Sequence, residues 1–323
     1  MIYPWQMSQW QFWLAQQARI GHAYLLTGVS GLGLSEFARM MAQNILCQTG
    51  NACGQCSACR QFDEANHPDF FQLEVLEGKK EIGVDQIRLL TQNLMQTAHQ
   101  GGYKVAVLKQ VERLNASAFN ALLKTLEEPP ARTLLILTSY QLNRLPATIV
   151  SRCQKIGFTP PNLEDSQAWL VEQQPGLVAA QYKRALRLNW GAPLAALAWL
   201  NQQGWEQDEA WHKAIDGIKQ GRQSTNQAVA DWLKWPEPSK VFDYFYLTSV
   251  QEIRRACYQQ SPLNGAWFSF QQQVLQAKLD WTQNANKELL LESLTLLFLQ
   301  IQSGETVILD SVFSSDLIRG TWA

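Results

Sequence analysis

Two hydrophobic patterns divide the chain. Up to Pro160-Pro161, short runs that are apolar at nearly every position alternate with stretches whose apolar residues recur every three or four positions. The first pattern predicts strands buried on both faces and the second predicts amphipathic helices. Trp10, Trp13, Leu14 and Ala18 place a helix over 5–18 as a brace against the adjoining domain. Residues 23–26 read as a strand, 28–33 as a glycine-bearing loop, and 35–46 as a helix carrying Phe37, Met40, Met41 and Ile45 on one side. A second strand is expected over 69–76, and a helix over 84–97 with Ile87, Leu90 and Leu94 on its inner face. A third strand, 104–108, comes after Gly101-Gly102, and a helix then starts at the capping residue Asn115 and stops at Pro129-Pro130, which cannot continue it. Residues 133–138 and 153–158 make the fourth and fifth strands, with 145–150 as a connector. Five strands alternating with helices predict an α/β domain with a mostly parallel sheet over 1–160.

After the double proline only the helical period persists. Three short periodic stretches fill 161–203, and the remainder, 204–323, stays helical with Trp205, Trp211, Trp232, Trp235, Trp267 and Trp281 spread through it. Tryptophans at helical spacing are read as core. The segments 241–259 and 288–301 are apolar enough to pack on more than one side.

Composition narrows the function classes. With 323 residues, 46% of them hydrophobic, the chain has material for two or three cores. A formal charge of −1 gives no electrostatic footprint for strong autonomous binding to DNA or to acidic membranes. The N-terminal residues do not resemble a signal peptide and no apolar run approaches ~20 residues, so an intracellular, cytoplasmic protein without a membrane role is expected. Four of the six cysteines lie within thirteen residues, which suits a metal site in a reducing compartment better than a disulfide framework.

Two stretches carry candidate chemistry. Gly28-x4-Gly33-Leu34-Ser35 has the spacing of a phosphate-binding loop, in which backbone N–H groups cradle phosphates, a lysine neutralises them and a hydroxyl holds magnesium. Gly28, Gly33 and Ser35 are in place, but Leu34 stands where the lysine belongs. The favoured reading is a vestigial loop kept as a structural turn, and the alternative is weak nucleotide binding through backbone groups. After the third strand, where a nucleotide hydrolase places Asp and Glu for magnesium and the attacking water, this chain has Lys109 and Gln110. The second stretch, Cys47-x5-Cys53-x2-Cys56-x2-Cys59, has the spacing of a closed tetrahedral zinc site, structural because no coordination position stays open. Unligated thiols, a redox role for the C-x-x-C pairs, and His67 as a substitute ligand are the weaker readings of the same region.

GHAYLLTG, the four-cysteine knuckle, FNALLKTLEEPP and LPATIVSRC together resemble the AAA+ subunits of the bacterial DNA polymerase III clamp loader, over roughly residues 4–158. Within that family the hydrolysing gamma/tau subunits keep the lysine and the Asp-Glu pair. Leu34, Lys109 and Gln110 therefore place the resemblance with the delta-prime branch, which does not turn nucleotide over. It implies a RecA-like AAA+ domain with a zinc knuckle, a three-helix lid and an all-α collar that holds a ring together. The expected function is a stator within a DNA polymerase holoenzyme, needing no ATP of its own, with gamma/tau and delta subunits as partners. Through the complex it would act on the sliding clamp and primer-template DNA. Arg152, flanked by Ser151 and Cys153, would be an arginine finger acting on ATP held by a neighbouring gamma/tau subunit; alone, it would read as a surface ion pair. Ser139 or Tyr140 falls at a sensor position, and Leu194 stands where active members carry a second sensor arginine. The alternatives are a gamma/tau-type ATPase and a zinc-knuckle nucleic-acid-binding module.

Overall fold

Five short strands, β1 (Ala23–Thr27), β2 (Phe70–Leu73), β3 (Lys104–Leu108), β4 (Thr133–Ser139) and β5 (Gln154–Gly157), pair in parallel in the order β2-β3-β4-β1-β5. The computed structural model describes residues 2–100, 102–202, 204–259, 265–282 and 285–303, and the chain divides into two units, Met1–Leu197 and Ala198–Ala323. Residues 304–323, part of the helical region expected from the sequence, lie outside the described residues.

Strands β3 and β4 are buried at every position because helices cover both faces of the sheet. Alternate strand residues enter opposite cores, as the two-residue period requires. Leu25, Ala106, Leu108, Leu135 and Leu137 meet helices α4 (Val84–Met95), α5 (Ala116–Glu127) and α6 (Ala147–Val150). Tyr24, Leu26, Val105, Val107, Leu134 and Ile136 meet α1 (Met7–Gln16), α2 (Leu34–Leu46) and α3 (Ser57–Asp63). Ala192, at the entrance to α9 (Pro193–Asn201), joins this second core, while α7 (Leu163–Gln173) and α8 (Ala179–Leu188) lie between β5 and α9 in sequence.

Several boundaries differ from the sequence expectation. The N-terminal helix starts at Met7 rather than residue 5, because Pro4–Gln6 forms a separate 3-10 turn closed by the Gln6 N–H on the Tyr3 carbonyl. It ends at Gln16 and passes into a second 3-10 turn, Gln17–Arg19. The connector 145–150 contains the one-turn helix α6. The second strand stops at Leu73, and the fifth begins at Gln154 because Cys153 turns into the core beneath α6.

In the second unit the described residues form helices only: α10 (Gly204–Lys219), α11 (Thr225–Trp232), α12 (Lys240–Tyr258), α13 (Ala266–Asp280) and α14 (Lys287–Ser303). Trp211 stacks on Tyr244 with ring centroids 5.4 Å apart, and Phe245, Phe270 and Phe298 pack edge-on or tilted around one another. Of the six tryptophans read as core, Trp211, Trp232 and Trp267 are buried, and Trp205, Trp235 and Trp281 are half-buried.

Candidate functional site

The loop between β1 and α2 has the backbone turn of a phosphate cradle, and other parts of the protein hold its carbonyls. Gly33 adopts φ 81°, a left-handed conformation suited to glycine, and its carbonyl accepts the first α2 bond from Phe37. Leu34 is wholly buried, packed with Leu32, Phe37 and Phe158. The Gln6 side-chain amide donates to the carbonyls of Leu32 (2.8 Å) and Gly33 (2.9 Å), and the Trp5 indole donates to Leu32 (3.0 Å). From the other side the Leu194 N–H donates to the Gly31 carbonyl at 3.1 Å. The hydroxyl expected for magnesium, Ser35, lies beside the Tyr140 phenol. Burial, with the Glu36 and Glu112 carboxylates, raises the Tyr140 phenol above its usual range, and the Ser35 hydroxyl works the other way.

At the exit of β3 the chemistry is equally changed. The Lys109 ammonium pairs with Glu74 at 3.0 Å, and Gln110 takes a left-handed φ of 52° with its N–H on the Thr138 hydroxyl. Neither side chain offers a carboxylate to magnesium.

Arg152 comes directly after α6. Its guanidinium bonds to Glu127 at 2.8 Å and to the Thr148 carbonyl at 2.9 Å, and its side chain stays about one-third exposed, at 36%. Ser151 donates to the same Thr148 carbonyl, and Cys153 is buried in the α4–α5 core. Burial pushes the Cys153 thiol up to about 11, so it is an inert anchor. The motif thus has one residue fixed in the core and one charged group held at the surface.

The four cysteines converge. The Sγ atoms of Cys47, Cys53, Cys56 and Cys59 all lie within 4.8 Å of one another, and Cys47 and Cys56 are 3.9 Å apart. A tetrahedron of sulfurs around zinc has edges of about 3.8 Å, so the donor set fits a divalent metal. The N–H groups of Cys53, Cys56 and Cys59 point at the sulfurs of Cys47, Cys53 and Cys56, each at 3.4 Å. Burial opposes ionisation of Cys47, but bonds from Thr49, Cys53 and Asn51 outweigh it and bring this thiol down to about 5. Cys59 is pushed up to about 12 by burial first, then by its Cys56 and Cys47 neighbours. A divalent cation would remove that mutual repulsion and let all four thiolates coexist. His67, the substitute ligand considered from the sequence, stands apart from this set: it is buried and its Nδ1 accepts the Asp69 N–H at 3.1 Å.

Sequence reasoning missed Tyr3, Gln6, Glu127 and Trp169. Their partners are distant in the chain, and only the unusually aromatic start, Tyr3-Pro4-Trp5, hinted at a specific role.

A parallel sheet of this order, a phosphate-type loop after its β1 strand and an arginine just before its edge strand β5 define an AAA+ module of the P-loop class. Here its own Trp5 and Gln6 side chains bond to the loop carbonyls. A family model described as DNA polymerase III, delta subunit, matches residues 6–162. The chain is 40% identical over 250 residues to DNA polymerase III subunit delta' of Pseudomonas aeruginosa, covering 76% of this chain and 75% of that one. It is 35% identical to the Escherichia coli delta' subunit, covering 66% of this chain and 65% of that one. To the tau subunit of Salmonella typhimurium it is 38% identical, over 53% of this chain and 26% of that one. The chain belongs to the delta-prime family of DNA polymerase III clamp-loader subunits. Among the described residues no helix is long and apolar enough to cross a membrane.

Proposed function

We propose that this chain is a cytoplasmic stator of the clamp loader, unable to turn over ATP, which supplies Arg152 to ATP bound by an adjacent gamma/tau subunit. In this reading the parts are the AAA+ domain 1–160, a lid 161–203 and a collar 204–323. Gamma/tau and delta subunits are ring partners, the sliding clamp and primer-template DNA are engaged by the complex, and the knuckle metal is structural zinc.

The observation that carries the reading is the setting of Arg152: its charge sits at the surface, its neighbour Cys153 is anchored in the core, and its bond to Glu127 is half in water. A surface pair of that kind contributes no more than about 1 kcal/mol. Exchanging it for a transferring phosphoryl group is therefore cheap. Transition-state stabilisation by an arginine in related systems is worth about 10³–10⁵ in rate. The self-filled loop supports the other half of the reading, since a gamma/tau-type ATPase needs the groups that Leu34, Lys109 and Gln110 replace.

The test is ATP turnover by a complex reconstituted with gamma/tau, delta, clamp and primed DNA. Arg152→Ala and Arg152→Lys are compared with the unaltered chain after assembly has been verified. The expected outcome is a fall of about 10³ in turnover at the neighbouring site with either variant, because an ammonium lacks the planar fork. Unchanged turnover in an intact complex would return Arg152 to a surface ion pair.

A further inference from the structure

The N-terminal residues do more than fill the loop. Tyr3–Gln6 is a self-contained clip: the Tyr3 N–H donates to Gln6 Oε1 at 3.1 Å, the Gln6 N–H returns to the Tyr3 carbonyl at 2.9 Å, and Pro4 limits the backbone between them. Gln6 is fully buried, and both ends of its amide are used, one on Tyr3 and the other on the carbonyls of Leu32 and Gly33. The Tyr3 and Trp5 rings stack at 4.9 Å, nearly parallel, and both meet Trp169 of α7 edge-on, at 6.2 and 5.1 Å. Across the same loop the start of α9 closes in. The Leu194 N–H is on the Gly31 carbonyl, and a Cβ on Gly31 would lie 2.4 Å from that of Ala195. Three successive loop carbonyls, at 31, 32 and 33, thus accept from two different parts of the chain.

We infer that residues 3–6 act as a tethered internal ligand, locking α7 and the start of α9 onto the sheet through the 28–33 loop, so that the position of these helices is fixed without nucleotide. Trp5 and Gln6 are positioning residues in this scheme. The chemistry is directional. A neutral amide at position 6 can give protons to two carbonyls while accepting one, whereas a carboxylate of the same size would face those carbonyls with like partial charge. The lock goes beyond the stator reading and does not depend on Arg152 reaching a neighbour.

The experiment is segment-resolved amide hydrogen exchange on the full chain, alone and in the assembled complex, comparing the unaltered protein with Trp5→Ala and with Gln6→Glu. Gln6→Glu preserves volume and so keeps the test valid if Trp5→Ala fails to fold. Expected is about ten- to hundredfold faster exchange in α7 and the start of α9, with β1, β3 and β4 unchanged. Added MgATP should not restore protection. Unchanged exchange in α7 and α9, or equal loosening of the whole first unit, would overturn the lock. So would a gain of protection there when MgATP is added to the unaltered chain.

Discussion

The two ends of helix α2 carry two loops of opposite kind. At its N-terminus the phosphate-type loop has Leu34 in place of a cationic side chain, and its carbonyls are held by Gln6, Trp5 and the turn into α9. At its C-terminus, where Leu46 passes into Cys47, the knuckle keeps four sulfurs converged. The difference lies in what can stand in for each ligand. The loop carbonyls are neutral acceptors, so amide and indole donors of the protein itself satisfy them. Four adjacent thiols gain full ionisation only from a multivalent cation, so no side chain substitutes for the metal. A nucleotide loop can therefore persist as architecture, whereas a thiolate cluster persists only with its donors.

The largest expected effect sharpens the knuckle side of this contrast. Cys59→Ser should abolish bound zinc, read with a chromophoric chelator, and cost on the order of 4 kcal/mol in urea unfolding. Retained stability after metal loss would make the knuckle as replaceable as the loop. On the other side, Leu34→Lys should not revive the nucleotide site. The new ammonium would enter a fully buried position, so a loss of about 3 kcal/mol and no MgATP binding by calorimetry are expected. Measurable ATP affinity would break the comparison.

Two glycines with similar backbones isolate crowding from conformation. Gly33 (φ 81°) has Tyr3 ring carbons 2.8 Å from a built Cβ, whereas Gly50 (φ 70°) has open space. Gly33→Ala should cost about 2–3 kcal/mol and Gly50→Ala about 1 kcal/mol by thermal melting, so equal losses would remove the clip from the account. The smallest effect concerns His67, whose pKa burial lowers from 6.5 while the Asp69 charge acts in the opposite direction. The unfolded imidazole takes up its proton at higher pH than the folded one. Stability therefore falls as pH drops below about 6.5 and is insensitive to this group above it. His67→Gln should flatten that part of a urea-midpoint titration.

Most of the sheet was legible because a strand buried on both faces writes an uninterrupted apolar run: 104–108 has in the sequence the same bounds as β3 in the fold. The cysteine cluster was legible because its spacing is itself the geometry. The side chains that fill the loop were not. Trp5 and Trp169 are far apart in the chain, and such a contact leaves no period in either segment. Arg152 showed its motif but not Glu127, whose place in FNALLKTLEEPP reads as a solvated helix end.

The contact between Tyr3, Trp5 and Trp169 also sets an order of events during synthesis. Tyr3 and Trp5 are made well before their aromatic partner, which emerges only with residue 169, and the loop they line is completed only with Leu194. Strand β1 likewise waits for β4 and β5. Pairings of such long sequence separation form slowly. The segment around Tyr3 and Trp5 is thus among the last parts of this unit to settle, and a nascent chain halted before residue 169 would present both rings to whatever apolar surface lies nearby.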